Sequence, residues 1–538
     1  MDKTVTAFRG MVVAPHYLAS EAGLNILRQG GNAVEAAVAT AAVLSVVYPH
    51  MTGLGGDAFW TIYDPASQRV TCVDGSGLSG QRVGPEYLRE LGHGAPPQRG
   101  AAAMLTCPGA VSGWSKALEL AGGWGAALPL DCLLEEAIYY AEYGYPVSVG
   151  QAAYLAEKAA ELRGQPGFDA HFLENGQAPV PRSRHTQPAL AGTLRRLVLE
   201  GLDAFYRGKL AQTIAAELAN VGAPLTLDDL ASQHGLATAP LEVAVQGARL
   251  YNTPPPSQGV ASLLILGIYD ALTTARENAE NTGKHDGLAL VHDLVECTKQ
   301  AFLLRDAHVA DSRHLRQDMQ ALLAPELLHQ LSGAVHRERA APWQAAPAAG
   351  DTVWFGVIDN AGRAVSCIQS IYFEFGSGVV LPETGLIWHN RGLGFSLDPA
   401  HPNHIGPRKR PFHTLNPALA LFDDGRVMPY GCMGGEGQPQ TQAALFARYA
   451  WMGYNLQAAV AAPRWVLGRT WGDSDASLKL EDNFSPEIIS ALKSAGHVVT
   501  EVKAFNDLMG HAGALVRHPH GLIEGAADPR CDGVAAAY

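Results

Sequence analysis

The sequence predicts an α+β protein, with a helix-rich part followed by a part that opens in β-structure. Three observations carry this expectation. An Ala/Val-rich apolar run fills the space between Asn32 and Pro49. Helical periodicity dominates residues 110 to 330. After residue 350 the pattern changes to strands around a tight turn.

Taken in order, Ser20 to Arg28 reads as a short helix ended by Gly30-Gly31, and Asn32 caps the next helix, which stops before Pro49. That helix is apolar nearly all round, so it belongs at the centre of a core. A turn, Gly53-Leu54-Gly55-Gly56-Asp57, leads into strand-like runs at Ala58 to Tyr63 and Val70 to Val73. Leu133 to Tyr143 and Leu288 to Ala307 are clear helical stretches, and Pro254-Pro255-Pro256-Ser257 interrupts the helical region. Residues 340–350, AAPWQAAPAAG, read as a loose linker. A hairpin follows: Thr352 to Ile358, a turn at 359–362, then Arg363 to Ser370. On pattern alone, the linker is an ordinary domain boundary, and the 538-residue length corresponds to roughly three or four domain-sized units.

Composition narrows the function. Hydrophobic residues make up 47% and charged residues 17%, which excludes a mostly disordered chain. The net charge of −13 excludes the basic surface of a nucleic-acid binder. Seven cysteines without a CxxC pair speak against a disulfide framework and a thiolate zinc site, and for a reducing compartment. The opening residues, MDKTVTAFRG, lack an apolar signal segment, and the run from Ala36 to Tyr48 is too short to cross a bilayer. A cytoplasmic protein with no membrane partner is expected.

Several catalytic motifs are missing. The chain has no G-x-S-x-G elbow, no P-loop and no H-E-x-x-H. His401, His404 and His413 lie in a Pro-rich loop without a periodic scaffold, so no metal is assigned to them.

A set of ordered landmarks remains: Gly30-Gly31-Asn32-Ala33-Val34-Glu35-Ala36-Ala37, Gly53-Leu54-Gly55-Gly56-Asp57, Pro108-Gly109-Ala110-Val111, Pro254-Pro255-Pro256-Ser257, Asp351-Thr352, Gly434-Gly435 and Ala527-Asp528-Pro529-Arg530. Together they resemble the gamma-glutamyltranspeptidase family across nearly the whole chain. The resemblance implies an N-terminal-nucleophile hydrolase: a four-layer αββα sandwich built by both subunits of a self-cleaved precursor. Cleavage between Asp351 and Thr352 would give a large subunit, 1–351, and a small subunit, 352–538. It implies no cofactor and leaves a dimer of heterodimers open as the assembly.

The chemistry has a physical basis. A freed Thr352 carries a hydroxyl and an α-amino group, and that amine, with an ordinary pKa of roughly 7.7–8.0, can serve as the base. On local grounds alone Thr352 is simply the first residue of a strand, since Thr favours strands. The resemblance further implies that Ser370 hydrogen-bonds the nucleophile and that Gly434 and Gly435 form the oxyanion hole with their N–H groups. Glycine suits that role because a side chain would block the approach of the acyl oxygen.

The chain departs from the family where the transpeptidases that act on glutathione grip the γ-glutamyl group. Ser76 stands at the Arg position, Tyr372 at the Asn position, Arg391-Gly392-Leu393-Gly394 in the stretch where a carboxylate is expected, and His413-Thr414 in place of a Ser-Ser pair; together with Asn390, Ser76, Tyr372, Arg391, His413 and Thr414 are the candidate substrate contacts. An ammonium entering here would meet Arg391 instead of a carboxylate. Arg391 and His413 offer donors to an anion. This resembles the signal-less branch of the family, which includes oxamate amidohydrolases and acylases acting on cephalosporin side chains. The leading expectation is an amidohydrolase for a small carboxylate-bearing amide. The alternatives are a γ-glutamyl hydrolase or transpeptidase, a cephalosporin-type acylase, and a non-catalytic binding protein that stays one chain.

Overall fold

In a computed structural model of the chain, residues 3–125, 127–280, 287–343, 351–468 and 475–538 are described. The chain folds into two seven-stranded sheets stacked face to face, each covered on its outer side by helices. This is the αββα sandwich expected of the family.

One sheet runs, from edge to edge, Val534–Ala537, Met11–Ala14, Asp351–Ile358, Ala364–Tyr372, Asp57–Asp64, Arg69–Gly75 and Leu236–Thr238. The other runs Val5–Ala7, Ile523–Ala527, Ala512–Arg517, Val427–Cys432, Ala418–Phe422, Ala248–Asn252 and Leu241–Val245. Within both sheets the pairings are antiparallel.

Period-two alternation sorts the side chains into separate layers. Along Asp351–Ile358, Trp354 and Ile358 fill the space between the sheets with Phe59, Ile368, Leu419 and Leu515. Val353, Phe355 and Val357 point the other way, into the core under the Ala33–Val47 helix. That helix is buried along its whole length, as its all-round apolarity predicts. Asn32 caps it by accepting from Val34 and Glu35 N–H, and Glu35 returns a bond to Asn32 N–H at 2.8 Å. Such a capping box stabilises a helix start by about 1 kcal/mol. A third core lies beneath the Gly259–Glu280 and Gly437–Phe446 helices on the other sheet.

Two expectations need correction. Residues 110–330 are not only helical: Leu241–Val245 and Ala248–Asn252 form a hairpin turned at Gly247, at φ +77°, and Leu236–Thr238 adds an edge strand. The boundary before Thr352 does not separate domains. The strand beginning at Asp351 is paired on both sides, with Met11–Ala14 and Ala364–Tyr372, so the early and late parts of the chain share one sheet. The three or four units suggested by length therefore collapse into one interleaved sandwich. The linker expected at 340–350 lies, from 344 on, outside the described residues.

Candidate active site

The site forms where strands from both sheets end together. Thr352 occupies the irregularity between the pairs Asp351–Tyr372 and Val353–Gln369, facing residues 370 and 371 of the neighbouring strand. It is fully buried, and its Oγ1 accepts a hydrogen bond from Gln438 Nε2 at 3.2 Å. Gln438 is fixed in turn, because its Oε1 accepts from Asn416 Nδ2 at 3.0 Å.

Gly434 and Gly435 follow the Val427–Cys432 strand and lead into the Gly437–Phe446 helix. Their φ values, +110° and +51°, lie in the region that favours glycine. A Cβ on Gly434 would also crowd the Gly510 Cα at 3.3 Å. Among the described residues no protein acceptor takes the N–H of Gly434 or Gly435. Two adjacent N–H groups at a helix start suit an oxyanion. Below them, Gln258 Nε2 donates to the carbonyls of Gly435 and Thr414, and Arg305 bonds both Gln258 Oε1 and Glu436.

Ser370 pairs directly across the ladder with Asp57. Its Oγ accepts from the Tyr372 N–H at 2.8 Å, which supports the positive φ of Tyr372, +78°. Tyr372 then serves as a platform: the Arg391 guanidinium carbon sits 3.9 Å from its ring centroid. Arg391 Nη1 reaches Thr414 Oγ1 at 3.4 Å and Nη2 reaches Ser370 Oγ at 3.5 Å, both at the long limit for a hydrogen bond. Its Nε has no partner, and no carboxylate among the described residues forms an ion pair with it. Burial pulls the Arg391 pKa down to about 10, against the opposing influence of Tyr372 and Asp57. A buried, underpaired guanidinium thus lies beside Ser370, near the start of the strand that carries Thr352.

The other expected contacts are placed differently. His413 does not present a donor to the site. Its Nδ1 faces the Pro411 carbonyl at 2.8 Å and its Nε2 faces Asp57 Oδ2 at 3.0 Å, so both ring nitrogens are occupied. Burial and Arg391 lower its pKa, with Asp57 opposing. Asn390 is bonded to backbone, donating to the Gln98 carbonyl and accepting from Phe373 N–H. The Ser76 hydroxyl donates to Asp74 Oδ1 at 2.5 Å. The structure therefore gathers Thr352, Ser370, Tyr372, Arg391 and Thr414, while His413, Asn390 and Ser76 are each bonded to other protein groups. Among the described residues no group of three His, Cys, Asp or Glu side chains is arranged to hold a metal.

Gln438, Asn416 and Gln258 escaped the sequence reading. The only signal was a polar run, Gly437-Gln438-Pro439-Gln440-Thr441-Gln442, on a helix that proves to be wholly buried.

Comparison with known proteins agrees with this geometry. Residues 19–538 match the sequence model of the family described as gamma-glutamyltranspeptidase. The chain is 52% identical to the oxamate amidohydrolase proenzyme of Klebsiella pneumoniae subsp. pneumoniae, over 100% of both chains. It is 42% identical to the glutathione hydrolase-like YwrD proenzyme of Bacillus subtilis, over 99% of each. Among solved structures, the cephalosporin acylase from Bacillus halodurans superposes with a TM-score of 0.90 at 32% identity, covering 100% of this chain and 97% of that one. The family match spans nearly the whole sequence and the fold agrees with it, so the chain belongs to the gamma-glutamyltranspeptidase family.

Proposed function

We propose that this protein is a self-processing amidohydrolase that cleaves the amide of a small carboxylate-bearing substrate such as oxamate. The observation that carries the reading is Arg391: a buried guanidinium stacked on Tyr372, with long bonds only to Thr414 and Ser370. Burying a charge this poorly matched is costly, and a substrate carboxylate would supply the bidentate partner it lacks. The name of the Klebsiella relative, at 52% identity, points to the same substrate.

The chain first cuts itself. Thr352 Oγ attacks the Asp351 carbonyl carbon, the C–N bond breaks, and the Thr352 nitrogen leaves as a free amine. Water then opens the resulting ester and leaves Asp351 as a new C-terminus. Residues 1–351 and 352–538 remain associated, because their strands alternate within both sheets. In turnover, the Thr352 amine takes the hydroxyl proton as Oγ attacks the substrate amide carbon. The oxyanion forms against the N–H groups of Gly434 and Gly435. Collapse returns the proton to the leaving nitrogen, releasing ammonia and an ester on Thr352. Water, deprotonated by the same amine, hydrolyses that ester to a dicarboxylate and restores the hydroxyl. Every step uses groups of the chain, the substrate and water, with no cofactor.

Glutathione hydrolysis is the second reading, favoured by the names of other relatives. It requires a carboxylate for the substrate's α-ammonium. Asp57, buried beside the pocket, already accepts from Gly77 and Gly109 N–H and is bonded to His413, with His389 Nδ1 3.1 Å away. No helix among the described residues is long and apolar enough to cross a membrane. A cytoplasmic heterodimer, free to pair further, fits the reading.

Denaturing mass spectrometry of wild type and Thr352→Ala tests the nucleophile. Two fragments are expected in the wild type, the smaller starting at Thr352, and one intact chain in the variant. One chain in both would favour a non-catalytic binding protein, and hydrolysis by Thr352→Ala would rule out the mechanism.

A further inference from the structure

Asp57 closes the Gly53–Asp57 turn, is fully buried, and is the residue directly opposite Ser370. Two backbone N–H groups and two imidazole nitrogens from four separate segments converge on its carboxylate, three of them in hydrogen bonds and His389 Nδ1 as a close contact. Oδ1 accepts from the N–H groups of Gly77 at 2.9 Å and Gly109 at 3.1 Å. Oδ2 faces His413 Nε2 at 3.0 Å and His389 Nδ1 at 3.1 Å. Glycine is required at both backbone donors. A Cβ on Gly77 would lie 1.5 Å from the Cys107 carbonyl oxygen, and one on Gly109 would lie 2.2 Å from that of Gly75.

The two histidines sit next to the anion pocket in sequence. His413 directly precedes Thr414, a partner of Arg391, and His389 lies two residues before Arg391 itself. Each ring is held at its far side as well: His413 Nδ1 by the Pro411 carbonyl, His389 Nε2 by Thr106. The segments carrying Arg391 and Thr414 meet directly at 3.4 Å, and each has its own tie to the sheet that carries Thr352, Asn390 N–H to the Ile371 carbonyl and Thr61 Oγ1 to the Pro417 carbonyl; Asp57 is a tie that both segments share.

We propose that Asp57 is the positioning residue of the anion pocket, fixing Arg391 and Thr414 in register with the nucleophile through His389 and His413. This rests on the reading of Arg391 as the anchor for a substrate carboxylate. Burial would raise the Asp57 carboxyl, but His389 and His413 together hold it well below the usual carboxylate range, so it acts as an anion throughout.

Asp57→Asn keeps the shape and removes the charge. The test compares wild type, Asp57→Asn and Arg391→Gln on oxamate and on its neutral analogue oxamide, with thermal melting as the check on folding. Asp57→Asn is expected to lower the oxamate-to-oxamide ratio of kcat/KM by about tenfold or more, through KM for oxamate. Equal losses on both amides, or an unchanged ratio beside a collapsed ratio in Arg391→Gln, would overturn the role of Asp57 while leaving the anchor intact. An unchanged ratio in Arg391→Gln would overturn the anchor reading itself. If Asp57→Asn does not fold, His413→Asn and His389→Asn each cut one tie. Intermediate ratios in both support the proposal, and wild-type ratios in both overturn it.

Discussion

Gln438 donates its side-chain amide to the hydroxyl of Thr352 across 3.2 Å, and Asn416 holds that amide from behind. The contact spans the two sheets: Thr352 opens a strand of one, and Gln438 lies in the first turn of the helix that follows a strand of the other. A donor at this place fixes the direction of the oxygen lone pair, which in the proposed mechanism sets the line of attack. A neutral hydrogen bond contributes about 0.5–1.5 kcal/mol, and 1.4 kcal/mol is about tenfold in rate. Gln438→Ala is therefore expected to slow self-cleavage and turnover by a few-fold to about tenfold, with little change in KM. Time courses of chain cutting by gel, beside steady-state kinetics, check this. Unchanged rates in both would remove Gln438 from the chemistry.

Beneath the glycine pair, Arg305 is buried against Glu436 at 2.7 Å and Gln258 at 3.0 Å, with its guanidinium carbon 3.8 Å from the Phe302 ring centroid. The network fixes the carbonyl of Gly435, and so the direction of the N–H groups above it. Removing the cation takes the ion-pair partner at 2.7 Å from the buried Glu436 carboxylate, and breaking a buried pair typically costs about 3–5 kcal/mol. Arg305→Met should lower the unfolding free energy by about 3 kcal/mol or more in a denaturant titration. The double variant Arg305→Met, Glu436→Leu should recover part of the loss, because the buried charge is gone. A double variant no better than the single would assign the loss to packing against Phe302.

Much of the sandwich was legible because its signals are local. Asn32 before an apolar run predicts the buried helix, and the capping box is there. The turn at 359–362 predicts the hairpin that carries Thr352 and Ser370, and the two strands pair as expected. The hairpin at Leu241–Val245 and Ala248–Asn252 was masked by the strong helical periodicity on either side. Candidates for the site could be named from sequence only where chemistry singles out a residue: a hydroxyl, a glycine pair, an arginine. What the histidine does was not legible, since His413 and its partner Asp57 lie 356 residues apart. A residue's pattern reports how much water it avoids, and nothing about which distant acceptor already holds it. The bonds of Asn390 and Ser76 were not legible for the same reason: each has a protein partner that sequence spacing does not encode.

Two groups set the expected pH dependence, and they act in opposite directions. The Thr352 amine must be neutral to accept a proton, and an ordinary α-amino group titrates at roughly 7.7–8.0. Below that range it is an ammonium and the base is lost, so kcat/KM rises as pH climbs through about 7 to 8 for every amide substrate. Arg391 must be a cation to hold a carboxylate, and burial has drawn its pKa down to about 10. Above that pH the guanidinium loses its proton, so KM should rise for an anionic amide and stay flat for a neutral one. The expected profile is a bell for oxamate and a rising curve with a plateau for oxamide. Steady-state kinetics from pH 6 to 11 on both amides read this directly. An alkaline limb shared by both substrates would place its origin in the catalytic groups rather than in Arg391. An acid limb that survives with the same midpoint after the α-amine is blocked would show that the base is a different group.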